Sequence, residues 1–225
     1  MVAARDRATP EAREARAGLG AAYWYPLYAF IRRKGRGPDE ALDLTQDYFT
    51  RLLERGTVAT ADAERGRFRS FLLADCTRFL ADRRDHDRAV KRGGGVAPLS
   101  IDARDAESRY LREPSHDRTA ERLFERNWAL ALLDAVLARL RREYEGSGRA
   151  EVFEILKVVL TDVPRAVPQA ELAGRLGTTE AAVQVAVHRL RRRYRDLIRA
   201  AITATVGGAV EIEDELRDLF TALGE

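Results

Sequence analysis

The chain has 225 residues, 45% apolar and 33% charged, which is enough apolar material for one large core or two small ones. Its formal net charge is only +3, so bulk charge selects no partner and the placement of the arginines has to. A lone Cys76 excludes an internal disulfide, and His86, His116 and His188 are too scattered for a zinc site. No leader of charged then apolar residues opens the chain, and no run of about 18 apolar residues offers a membrane span. The expectation is a cytoplasmic protein with no cofactor, no metal and no membrane partner.

Helical periodicity dominates, without convincing alternation of β-branched residues, and predicts an all-α fold. Thr9-Pro10-Glu11 reads as a helix start, with a capping hydroxyl before a proline whose missing N–H costs nothing there. That helix should turn Tyr23, Leu27, Phe30 and Ile31 inward, with Pro26 kinking or dividing it. A second helix, from about Asp39 to Arg55, has Ala41, Leu44, Tyr48, Phe49 and Leu52 as its buried stripe. Asp39, Asp43, Gln46 and Asp47 take the other side. After a polar loop near 57–66, a third helix runs from about Arg67 to Arg92. Phe68, Leu72, Phe79 and Leu80 face its core side, and Arg69, Arg78, Arg83, Arg84, Arg88 and Lys91 its outer side. Gly93-Gly94-Gly95 breaks it, and the mixed segment to about Arg118 reads as an interdomain linker.

A second domain opens near Thr119 with a long helix carrying Trp128, Leu132, Leu133, Val136, Leu137 and Leu140. Gly146-Ser147-Gly148 is a turn, and Val152, Phe153, Ile155, Leu156 and Leu160 mark another helix. A loop over Pro164 to Pro168 leads into a short helix ending at Gly177. Thr178-Thr179 then cap a last long helix with Val183, Val187, Leu190, Tyr194 and Leu197 inward. Gly207-Gly208 separates a C-terminal helix rich in acids: Glu211, Glu213, Asp214, Glu215 and Asp218. The predicted organisation is two small helical domains, 1–92 and 119–205, joined by a linker over 93–118 and followed by an acidic helix over 206–225.

The strongest local signal is PQAELAGRLGTTEAAVQVAVHRLRRRY, which reads as a helix-turn-helix whose second helix would enter the major groove of DNA. Removing its inward stripe leaves Glu180, Gln184, His188 and Arg191 as candidate base readers. Arg189, Arg192 and Arg193 are better suited to phosphates, which position a protein without specifying sequence. The bland alternative is a solvated basic helix end.

Segment order is more specific than that motif. YWYPLYAFIRRKG, then DEALDLTQDYFTRLLE, then GRFRSFLLADCTRFLADRRD, followed by the helix-turn-helix, resembles the extracytoplasmic-function sigma factors of bacterial RNA polymerase over most of residues 20–92 and 121–200. The resemblance implies a non-enzymatic subunit that binds core RNA polymerase and directs it to promoter DNA. It implies that the helix of Asp39, Asp43, Gln46 and Asp47 docks on the polymerase, with Asp43, Leu44, Gln46, Asp47 and Phe49 matching the family pattern. It implies that Arg67, Arg69, Phe71, Arg78 and Arg83 serve the minus-ten element and the second domain the minus-thirty-five element. Phe71 stands where the family usually has tryptophan, and Arg78 where it often has asparagine.

Leu42 stands where the family usually has an acid, and Thr45 where it usually has an aliphatic residue. The pattern resembles a subgroup whose polymerase binding is switched on by threonine phosphorylation, implying Thr45 as the modified residue and a Ser/Thr kinase as a partner. A phosphate adds about −1.5 to −2 charges, enough to replace a missing carboxylate. The competing reading is a helix threonine bonded to the carbonyl of the preceding turn; Thr50 is a more exposed alternative. No phosphate-cradling loop, HExxH or nucleophile–base pair points to catalysis. The sequence identifies no anti-sigma factor. The alternative function is a helix-turn-helix repressor or activator that is not a polymerase subunit.

Overall fold

A computed structural model describes residues 10–54, 68–89, 103–113, 119–161, 167–203 and 209–224. Among these the protein is all-α, with no strand. The helices are α1 (Pro10–Arg33), α2 (Pro38–Glu54), α3 (Phe68–Ala89), α4 (Ala103–Leu111), α5 (Ala120–Gly146), α6 (Ala150–Leu156), α7 (Val158–Thr161), α8 (Gln169–Leu176), α9 (Glu180–Thr203) and α10 (Ala209–Gly224). The expected Thr9 cap, the loop near 57–66, Arg67, Lys91, Gly93-Gly94-Gly95, the start of the Pro164 loop and Gly207-Gly208 lie outside the described residues, as do the side chains of Arg84 and Arg88.

The chain divides into two compact units, Met1–Ala131 with Thr205–Glu225, and Leu132–Ala204. This differs from the expected boundaries, because three segments assigned elsewhere pack onto the first unit. The expected linker contains α4, whose Glu107 takes a bidentate grip from Arg32 at 2.7 and 2.9 Å and a bond from the Tyr28 hydroxyl at 2.6 Å. Arg109 lies 3.8 Å over the Tyr25 ring. The first half of α5 supplies Leu123, Phe124 and Trp128, all buried; Phe124 meets Phe30 edge-on, and Trp128 Nε1 donates to the Tyr23 hydroxyl at 3.1 Å. The third segment is α10, described below.

The first unit is built around α1. Every residue from Tyr23 to Ile31 is buried, so this stretch of the helix is enclosed on all sides. Pro26 does not divide it. An interior proline costs about 3 kcal/mol, which the burial of two full turns of aromatic and aliphatic side chains offsets. The stripe of α2 is as expected, with Ala41, Leu44, Tyr48, Phe49 and Leu52 buried. Tyr48 donates to the Leu72 carbonyl of α3 at 3.1 Å, tying the two helices together. Cys76 is buried beside it, and burial pushes its thiol up to about 12.

In the second unit Phe153, Ile155 and Leu156 of α6 and Leu172 and Ala173 of α8 are buried with Val183, Leu190, Leu197, Ile198 and Ile202 of α9. Val187 and Tyr194, expected inward, are half-buried.

Candidate nucleic-acid interface

The geometry of α8 and α9 begins with a glycine. At Gly177 the chain turns through φ 60°, ψ 36°, a left-handed conformation that an L side chain resists. The turn is closed by Thr178 N donating to the Ala173 carbonyl at 3.0 Å and Gly177 N to the Gly174 carbonyl at 3.3 Å. Two residues later Thr179 caps α9: its Oγ1 accepts from Ala182 N at 3.2 Å, and its carbonyl accepts from Val183 N at 3.0 Å. A stop and a start separated by so few residues fix the angle between the helices through the backbone itself.

With Val183, Leu190, Leu197, Ile198 and Ile202 held inward, most other positions of α9 are exposed. Glu180, Gln184, His188, Arg189, Arg191, Arg192 and Arg193 are all exposed, so the sequence-derived candidates share one element's solvent side. They do not share one face. Arg191 leans toward α7 and donates to the Val159 carbonyl at 3.4 Å. Arg193 is on the opposite flank, gripped by Glu143 of α5 through Nε and Nη2, both at 2.7 Å. That grip holds the Glu143 carboxyl below its ordinary value. Arg193, expected on phosphate, therefore spends its fork inside the unit, whereas Arg192 is exposed with no such anchor among the described residues. Sequence reasoning missed Ala181 and Val185, also on the outward side; Val185 is 50% exposed. At about 100° per residue Val185 sits roughly 200° from Val183, which a helical projection would have revealed.

No family model, curated protein or solved structure matches this chain.

The candidates of the first unit are distributed less evenly. Asp39 and Asp43 are exposed on α2, and Gln46 and Asp47 are half-buried. Asp47 pairs with Arg83, so one candidate for polymerase contact neutralises one for DNA contact. Arg78 is exposed on α3 in a row with Ser70, Ala74 and Thr77. Phe71 is half-buried, its ring 6.3 Å from that of Phe68, which in turn meets Tyr23 edge-on.

Two candidates are not where an exposed role needs them. Arg69, expected on the outer side of α3, is 4% exposed. It lies one position beyond Phe68 and three before Leu72, within reach of the same buried side, and carboxylates from other helices receive it there. Thr45 is fully buried, and its Oγ1 donates to the Ala41 carbonyl at 2.6 Å. It sits between Ala41, Leu44 and Tyr48 on the apolar side of α2, where a phosphate could enter only if α2 left its packing. Thr50 is half-buried and bonded to the Gln46 carbonyl at 3.0 Å.

Proposed function

We propose that this chain is a promoter-specificity subunit of RNA polymerase, of the extracytoplasmic-function sigma type, acting in the cytoplasm. In this reading α8 and α9 form a helix-turn-helix. Gln184, Val185 and His188 face base edges in the major groove, and Arg189 and Arg192 take backbone phosphates. α2 meets the polymerase through Asp39 and Asp43, and the exposed row of α3 with Arg78 faces the opened strand. The observation that carries the reading is the outward side of α9: rich in exposed cations from Arg189 to Arg199, and set by the Gly177 turn and the Thr179 cap. The exposed carboxylates of α2 support the polymerase half, because charged groups at an interface set encounter and register. Phosphorylation of Thr45 has no part in it, since that hydroxyl is buried and bonded.

The test is capture of core polymerase by full-length protein and by Asp39→Arg/Asp43→Arg. Both residues are solvent-facing, so the double variant should fold normally while capture and promoter-directed transcription fall at least tenfold. Unchanged capture by the folded variant refutes the α2 assignment. DNA binding with no polymerase capture by wild type refutes the sigma role in favour of an independent helix-turn-helix regulator.

A further inference from the structure

The acidic helix α10 is part of the first unit, anchored by Leu219, which is fully buried. Beside that anchor it brings Glu215 and Asp218 to the first turn of α3. Arg69 Nε donates to Glu215 Oε1 at 2.7 Å and Nη2 to Asp218 Oδ2 at 2.8 Å. Arg69 Nη1 pairs with Glu125 of α5, and the guanidinium lies 4.6 Å over the Trp128 ring. Every nitrogen of the fork is engaged.

Such a cluster is a poor device for stability alone. Removing charges from water costs about as much as their attraction returns, and apolar residues of similar volume often do as well. What the arrangement reproduces is phosphate recognition: oxygens seated on the planar fork of an arginine, with the guanidinium backed by an aromatic ring. It does so at the start of the helix whose next residues, Ser70, Ala74, Thr77 and Arg78, form the exposed row assigned above to the opened strand.

We propose that α10 is a built-in competitor for DNA: Glu215 and Asp218 occupy Arg69 in place of backbone phosphates, and α3 takes DNA fully only when α10 leaves. This rests on the reading of α3 as a DNA-facing helix. Apparent DNA affinity then equals that of the open form multiplied by the fraction of molecules with α10 open. Arg69 stays anchored on Trp128 and Glu125 throughout, so opening requires displacement of one helix and no refolding of the site.

The test uses full-length Glu215→Gln/Asp218→Asn, which removes both charges and keeps side-chain size. Amide exchange over residues 209–224 reports release of α10, and a fluorescein-labelled forked duplex, without polymerase, reports DNA affinity. Faster exchange together with roughly tenfold tighter binding is the expected result. Arg69→Gln should free α10 equally and bind no more tightly than wild type, because the cation itself is gone. If the amides of the double variant stay protected, Leu219→Asp detaches the helix instead and the same criterion applies. A variant with α10 released that binds the fork no more tightly than wild type, or no binding by either protein, overturns the proposal. Polymerase capture, scored separately, decides the sigma reading, so either can fail alone.

Discussion

Thr45 is where the electrostatics of activation and the packing of α2 make opposite demands. Replacing it with Glu imitates part of a phosphate and places a carboxylate on the buried stripe between Ala41 and Tyr48. The cost of an uncompensated buried ion is several kcal/mol even after relaxation, against a total stability of about 5–15 kcal/mol for a domain. Thr45→Glu should therefore lose a large part of the first unit's stability, whereas Thr45→Val loses only one local hydrogen bond, about 1 kcal/mol or less. The Ala41 carbonyl that accepts from Oγ1 lies inside α2, where the helical ladder still serves it. Urea unfolding followed by tryptophan fluorescence reads this directly. Both tryptophans, Trp24 and Trp128, are buried in the first unit and report on no other part of the chain. Polymerase capture by the folded Thr45→Val protein completes the assay. A glutamate variant as stable as wild type, or a folded valine variant that no longer captures polymerase, would refute the packing argument and return Thr45 to a regulatory role.

Glu107→Gln should destabilise the first unit by about 1–2 kcal/mol at neutral pH, since it weakens two arginine bonds and one tyrosine bond to a charged acceptor. The Arg32 guanidinium, helped by the Tyr28 hydroxyl, holds the Glu107 carboxyl below its ordinary value. Its contribution is therefore complete above the unfolded value of about 4.3 and is lost as pH falls through the lower folded value. The gap between wild type and Glu107→Gln in urea titrations should close in acid, and a gap independent of pH would contradict the assignment. Gly177→Ala should cost about 1–2 kcal/mol through its left-handed backbone alone, because a Cβ there meets nothing within 4 Å. Far-ultraviolet circular dichroism is the right probe for it, as the second unit holds no tryptophan.

Much of this architecture was legible in the residues. The stripe of α2 and the Gly177-Thr178-Thr179 punctuation are local: spacing dictates which side chains share a face, and turn chemistry dictates where a helix stops. The outward candidates on α9 follow from the same rule, and so does Val185, which sits roughly 200° from Val183. What spacing could not supply was the behaviour of charged residues near the edge of a stripe. Arg69, Arg83 and Arg193 read alike as exposed cations, yet one is buried, one is paired across helices to Asp47, and one is gripped by Glu143.

The same limit explains the domain boundaries. Helix content and buried faces are properties of neighbours three and four positions apart, and the chain states them locally. The joining of Tyr28 to Glu107, Tyr23 to Trp128 and Arg69 to Glu215, the last across 146 positions, depends on which surfaces meet after the helices form. An arginine has no periodicity that distinguishes water from a distant carboxylate as its partner. Only the tertiary structure could decide that the segment read as a linker contains a packed helix and that the acidic α10 covers the beginning of α3, because both outcomes are set by the complementarity of surfaces far apart in the chain.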